Sequence, residues 1–172
     1  MKKNSPSVSI IMNCYNGEKY LKKSLQSVIN QTYKNWELIF WDNRSIDKSK
    51  EIVANFKDKR IKYFKSKKFN SLYEARNLAI RKSRGKYICF LDTDDWWIKK
   101  KLMSQIELIR KNPEINFIFS NVYLYFQKKK VKKLYFNYSV PDGKITQFLL
   151  NNYIIGILTV MVKKDIFQKK KI

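Results

Sequence analysis

Short apolar runs alternate with amphipathic stretches along most of this chain. The runs "VSIIM" (8–12), "WELIFW" (36–41), "IKYF" (61–64) and "KYICFL" (86–91) predict strands. Between them lie segments with apolar residues at helical spacing. Residues 18–31 carry Leu21, Leu25, Val28 and Ile29; residues 47–56 carry Ile52, Val53 and Phe56; residues 73–83 carry Leu78, Ala79 and Ile80. A fourth helix is predicted from about 97 to 111, bearing Leu102, Ile106 and Ile109 and closed by Asn112-Pro113. The first, second and fourth strands are apolar nearly throughout instead of alternating, as happens when helices cover both faces of a parallel sheet. The order predicts an α/β protein with a mostly parallel, Rossmann-like sheet.

After residue 115 the rhythm changes. "INFIFSNVYLYF" (115–126) predicts one long strand and "KKLYFNYSV" (132–140) another, with Pro141-Asp142-Gly143 as a turn. A short helix near 145–151 and a strand near 157–162 follow. Lys128 to Lys133 holds five lysines in six residues, read as a solvated hairpin turn. No repeat or low-complexity linker interrupts the chain, and its 172 residues suit one domain with a sizeable core.

Polar clusters recur at corresponding places on this framework. "NCYNGE" follows the first strand, "DNRSID" the second and "DTDD" the fourth. In open α/β sheets ligands bind beyond the carboxyl ends of the strands, at the point where strand order reverses. With the second and third strands on one side of the first and the fourth on the other, all three loops would meet over one crevice.

The composition narrows the chemistry. There is no histidine, which removes Ser-His-Asp and Cys-His nucleophile sets and His-ligated metal sites. The two cysteines, Cys14 and Cys89, lie in or beside apolar runs, and a reduced, buried pair is expected. The longest apolar run, Ile154 to Val162, is too short to span a bilayer, and the N-terminus makes a poor signal peptide; a cytoplasmic protein is expected. Against 37 Lys+Arg stand only 14 Asp+Glu, for a formal charge of +23. That excess invites a polyanionic partner, but it is spread along the chain and forms no compact basic motif. Nucleic acid is therefore not expected as a partner.

In so basic a chain, three acids within four positions, Asp92, Asp94 and Asp95, require a reason. Carboxylates at i and i+2 just past a buried strand can reach one hard cation, and with oxygen ligands alone that cation should be Mg²⁺ or Mn²⁺. Asp95 is placed to cap the following helix, which needs only one acid; Asp92 and Asp94 would repel unless a counter-ion sat between them. Asp42 either hydrogen-bonds a base or ribose or forms an Asx turn. Tyr15 either stacks on a nucleobase or packs, and Arg76 either reaches a diphosphate or pairs with Glu74 or Asp47.

These pieces together resemble the family 2 glycosyltransferases with a GT-A fold, from about Val8 to Phe167. The resemblance rests on "NCYN", "DNRSID", "ARNLA" and "LDTDD", occurring in the family's order, and on "VKKDIF" near the end. It implies one domain, with residues 1–115 forming a nucleotide-sugar-binding half and 116–172 part of an acceptor-side half. It further implies that Asn13 and Tyr15 contact the base, Asp42 the uracil or ribose, and Arg76 the diphosphate. Asp92 and Asp94 would be the D-x-D pair, Asp94 the principal metal ligand. The implied reaction moves a sugar from a nucleotide-sugar, expected to be a UDP-sugar, to a glycan or lipid-linked acceptor with inversion, at or near the inner membrane face. Three departures stand out: Asn13 for a proline, Asn43-Arg44 for Asp-Gly, and Ala79 for a glycine. Arg44 is uncomfortable if its turn needs a positive φ. The family's general base is expected beyond Ile172; within the chain Asp142 and Asp165 are the remaining candidates. A donor-binding but catalytically incomplete chain is the alternative, with a nucleic-acid binder and a nucleotidyltransferase behind it.

Overall fold

A computed structural model describes residues 6–167 of the protein. The terminal residues 1–5, and 168–172 with the basic run Lys169–Lys171, lie outside the described residues. The elements run β1 (Val8–Cys14), α1 (Glu18–Ile29), β2 (Trp36–Asp42), α2 (Ser49–Asn55), β3 (Ile61–Lys65), α3 (Leu72–Lys82), β4 (Tyr87–Phe90), α4 (Lys101–Lys111), β5 (Phe117–Ile118), β6 (Tyr123–Phe126), β7 (Val131–Leu134), α5 (Thr146–Asn151) and β8 (Met161–Lys163). Two 3-10 turns, Ile157–Thr159 and Lys164–Phe167, flank β8.

Six strands form one sheet in the order β3-β2-β1-β4-β8-β5. The β3-β2-β1-β4 core is parallel, with β8 and β5 added antiparallel. β1 and β2 are buried almost end to end because helices cover both faces. On one face Leu21, Leu25 and Val28 of α1 and Leu102, Ile106 and Ile109 of α4 pack against Ile10, Met12, Leu38 and Phe40. On the other, Ala75, Ala79 and Ile80 of α3 meet Ile11, Ile39 and Ile88. Each such aliphatic side chain taken from water contributes about 1.5–3 kcal/mol. Both cysteines are free and buried.

At the amino-terminal edge of the sheet, Glu37 is buried yet fully engaged. It accepts from Ser9 Oγ (2.7 Å), the Arg84 backbone N–H (2.6 Å) and Arg84 Nε (3.2 Å). Gly85 sits hard against β1 there: a Cβ would come within 2.5 Å of the Ser9 nitrogen, so only glycine lets β4 enter beside β1.

The sequence pattern misplaces four elements, two of them in extent: the strand expected over 132–140 is only Val131–Leu134, and the one expected near 157–162 opens as the 3-10 turn Ile157–Thr159 before β8. The predicted helix at 97 begins only at Lys101, so Asp95 does not cap it. The Ile98 and Lys99 carbonyls accept instead from Gln31 Nε2 (2.8 Å) and the Thr32 N–H (3.0 Å), which pins that stretch to the loop after α1. The predicted long strand 115–126 breaks in two. Asn121 Oδ1 accepts the Val122 N–H at 2.8 Å and its Nδ2 donates to the Phe136 carbonyl at 2.6 Å, which diverts the chain out of the main sheet. Beyond the break, β6 pairs among the described residues only with β7, around the lysine-rich turn.

Candidate functional site

β1 lies between β2 and β4, so the strand order reverses at the β1/β4 junction. Three loops leave the carboxyl ends of β1, β2 and β4 and are joined there by side chains. The first two are laced together by reciprocal bonds. The Asn16 N–H donates to Ser45 Oγ (3.0 Å) and the Ile46 N–H to Asn16 Oδ1 (2.9 Å); the Glu18 N–H donates to Asp47 Oδ2 (2.9 Å) and the Lys48 N–H to Glu18 Oε2 (2.9 Å). The third loop packs onto the first at Gly17, where a Cβ would meet Thr93 Oγ1 at 2.9 Å. Ser24 Oγ of α1 donates to the Asp92 carbonyl at 3.1 Å.

Beside these loops is a cavity of about 200 Å³ lined by Asn13, Tyr15, Phe69, Asn70, Leu72 and Ala75. The rings of Tyr15 and Phe69 meet edge to face, centroids 4.8 Å apart, and Tyr15 remains 55% exposed. Asn13 Nδ2 is buried and has no partner among the described residues. An unpaired buried donor is costly unless something supplies an acceptor.

Asp42 takes the Asx-turn geometry. It is 1% exposed, and its Oδ1 accepts the Ser45 N–H at 2.7 Å. Tyr63 of β3 donates its hydroxyl to Asp42 Oδ2 at 2.5 Å. Burial, and then the Asp42 carboxylate, push the Tyr63 phenol well above the usual tyrosine range. Asn43 and Asn70 form a second reciprocal pair: Asn43 Nδ2 donates to the Asn70 carbonyl (2.8 Å) and the Asn70 N–H to Asn43 Oδ1 (3.0 Å). Arg44 takes a φ of 69°, the left-handed conformation that the departure from glycine made suspect.

Arg76 pairs with neither Glu74 nor Asp47. Glu74 instead accepts the Ser71 N–H at 3.0 Å as part of a capping box that starts α3. This aims Arg76, one turn into the helix, at the loop after β4, where its Nη2 donates to both oxygens of Asp92 at 3.0 and 3.3 Å. Asp94 is exposed and makes no hydrogen bond or ion pair among the described residues. The Asp95 carboxyl is pushed up to about 6, first by burial and then by the charges of Asp94 and Asp92.

The donor set fits a divalent cation. Its ligands are hard carboxylate oxygens, and one arginine leaves negative charge uncompensated around residues 92–95. Among the described residues no cluster of three metal-ligating side chains exists, so Asp92 and Asp94 would share the ion with water or phosphate oxygens.

Both sequence candidates for a general base are exposed. Asp142 is exposed in the turn before α5. Asp165 is exposed on the 3-10 turn entered beside the start of β4, where the Lys164 N–H donates to the Lys86 carbonyl at 2.9 Å; Asp92 leaves the other end of that strand. Sequence reading overlooked Phe69 and the Asn43–Asn70 pair. Phe69 carried a weak signal, a lone aromatic within the polar stretch "KSKKFNS".

The family model for glycosyl transferase family 2 matches residues 9–169. The chain belongs to this family. It is 39% identical over 162 residues to the UDP-Glc:alpha-D-GlcNAc-diphosphoundecaprenol beta-1,3-glucosyltransferase WfgD of Escherichia coli, covering 94% of this chain and 62% of that one. Across the curated relatives it matches first, the family 2 chain described here spans less than two thirds of their length. Among solved structures it superposes on S. aureus TarS 1–349 in complex with UDP, with a TM-score of 0.70, 21% identity, and coverage of 94% of this chain and 48% of TarS 1–349. A second neighbour is the mannosyltransferase PcManGT of Pyrobaculum calidifontis, in complex with GDP-Man and Mn²⁺, with a TM-score of 0.60, 20% identity, and coverage of 67% of this chain and 35% of that one. The fold is the GT-A fold of this family.

Proposed function

We propose that this chain carries the donor site of a metal-dependent, inverting glycosyltransferase that takes a UDP-sugar and serves a glycan or lipid-linked acceptor. The observation that carries the reading is the meeting of Arg76 and Asp92 at the β1/β4 switch point, with Asp94 exposed two residues on, beside an aromatic-rimmed cavity with an unpaired amide donor. The activity for which the WfgD relative is named, with a UDP-Glc donor and a diphosphoundecaprenol-linked acceptor, supports the same substrate classes here.

In this reading residues 1–115 form the donor half and 116–172 part of the acceptor side. The base packs against Tyr15 and Phe69, and Asn13 Nδ2 donates to a base carbonyl. Asp42 shapes the base-ribose wall; a direct bond to the nucleotide would require the Tyr63 hydroxyl to move aside. Arg76 binds the diphosphate, releasing Asp92 to join Asp94 on a Mn²⁺ or Mg²⁺ ion. That ion supplies positive charge to the departing diphosphate. The acceptor hydroxyl attacks the anomeric carbon from the side opposite the leaving group, which inverts it. Its proton goes to a general base, for which Asp165 is poorly placed, since it lies beside the start of β4 and Asp92 leaves the other end. The formal charge of +23 supports association with an anionic membrane face, where such acceptors are presented.

The test is a thermal shift with UDP and Mn²⁺. Ligand at 100 times its Kd stabilises by about 2.7 kcal/mol, an upward shift of roughly 5–10 °C in a protein of this size. Asp94→Ala should abolish it, and an unchanged Tm in the wild type would end the reading. The alternative is a chain that binds the donor without transferring its sugar. It predicts the same thermal shift with no release of UDP from a UDP-sugar.

A further inference from the structure

The hairpin β6–β7 is exposed along both strands. In its antiparallel register Phe126 faces Val131 and Leu124 faces Lys133, so these four side chains share one face. Tyr123 and Tyr125 occupy the opposite face with their partners Leu134 and Lys132. The second face turns toward the body: the Tyr125 ring meets Trp96 at 5.6 Å, and Lys23 lies 3.1 Å over Trp96. At the strand end, Tyr20 of α1 and Gln127 exchange hydrogen bonds at 3.0 and 3.3 Å. The first face therefore looks outward, with Leu124, Phe126 and Val131 between 42% and 52% exposed.

Two-sided apolar exposure on an isolated hairpin is unfavourable in water alone. Here it is joined to a turn of three consecutive lysines, Lys128 to Lys130, with Lys132 and Lys133 on the returning strand. No acid occurs anywhere between Glu114 and Asp142. Aliphatic and aromatic side chains flanked by lysines suit the boundary of an anionic bilayer, where the apolar atoms enter the acyl edge and the ammonium groups meet lipid phosphates.

We infer that the β6–β7 hairpin is a membrane-docking element that inserts Leu124, Phe126 and Val131 into an anionic lipid surface, with the Lys128–Lys130 turn gripping the headgroups. Charge complementarity commits the surface to lipid. A nucleic-acid base stacks on aromatic faces, whereas two of the three apolar side chains on this face, Leu124 and Val131, are aliphatic and Phe126 is its one ring. Trp96 lies two residues past Asp94 and packs on the hairpin, so docking would hold the crevice beside the membrane. This deepens, and in its orientation rests on, the reading of a lipid-linked acceptor.

The experiment is vesicle flotation of the whole chain with mixed phosphatidylglycerol–phosphatidylcholine vesicles, against pure phosphatidylcholine, at low and high salt. The wild type should float only with the anionic vesicles, more weakly at high salt. The variant K128Q/K129Q/K130Q should lose about 100-fold in partitioning, and L124S/F126S should lose the salt-resistant part. Both variants lie outside the crevice and should keep the UDP–Mn²⁺ thermal shift. Equal flotation of wild type and variants would overturn the inference. So would a wild-type dimer that L124S/F126S converts to monomer, since the face would then dock a second copy. Binding of single-stranded RNA with flotation absent would also overturn it. A wild type that does not float yet keeps the nucleotide shift refutes the docking element alone; a wild type that floats yet shows no nucleotide shift refutes the donor site alone.

Discussion

The Arg76 guanidinium donates to both carboxylate oxygens of Asp92, tying the first turns of α3 to the loop that leaves β4. The pair is part-exposed, so its contribution to folding is small, about 1 kcal/mol or less. Its consequence is for binding, because the guanidinium charge on Asp92 offsets that carboxylate's attraction for a cation.

Arg76→Gln should therefore separate two affinities. Nucleoside diphosphate binding should weaken by roughly 10- to 100-fold, as expected for the loss of charge-assisted bonds. Mn²⁺ binding in the absence of nucleotide should strengthen, because Asp92 is released. Titration calorimetry of each ligand checks this; parallel weakening of both would count against the competition.

Tyr63→Phe should cost about 1.5–3 kcal/mol near neutral pH, since the buried Asp42 carboxylate loses a donor. The variant also has a pH signature. The folded Tyr63 phenol is raised above its ordinary value of 10.0, so its contribution is complete below that pH and is lost as pH rises beyond it. Chemical denaturation between pH 8 and 11 should show wild-type stability falling on the alkaline side and the variant's curve flatter there.

Arg44→Gly should stabilise the protein by about 0.5–1 kcal/mol. A φ of 69° costs an arginine more than a glycine, and that gain exceeds the exposed bond from Arg44 Nη1 to the Lys67 carbonyl. A lowered midpoint in urea would show that this bond outweighs the strain.

Gly17→Ala should destabilise by about 1–3 kcal/mol, because the new methyl meets Thr93 Oγ1 at 2.9 Å and Cys14 Sγ at 3.0 Å. It should also weaken UDP–Mn²⁺ binding by forcing the first and third loops apart. Pairing it with Thr93→Ala should recover part of both losses, read by thermal shift with and without ligand.

The sequence by itself determined the α/β class, the four parallel strands, and the carboxyl-end position of three polar loops. Those features rest on local periodicity: apolar runs such as "SIIM" and "ELIFW" cannot be satisfied except in a sheet covered on both faces. It also marked Tyr15, Arg76, Asp92 and Asp94, residue types whose chemistry is unusual where they stand. Only the tertiary structure decided their partners. That Arg76 meets Asp92 rather than Glu74, that Tyr63 closes over Asp42, and that Asn43 pairs with Asn70 depend on side chains 16 to 27 residues apart. The late start of α4 and the break at Asn121 have the same origin. At both, distant groups or an asparagine amide took the backbone bonds that local pattern assigned to regular structure, and hydrogen bonding across the fold outweighed propensity along the chain.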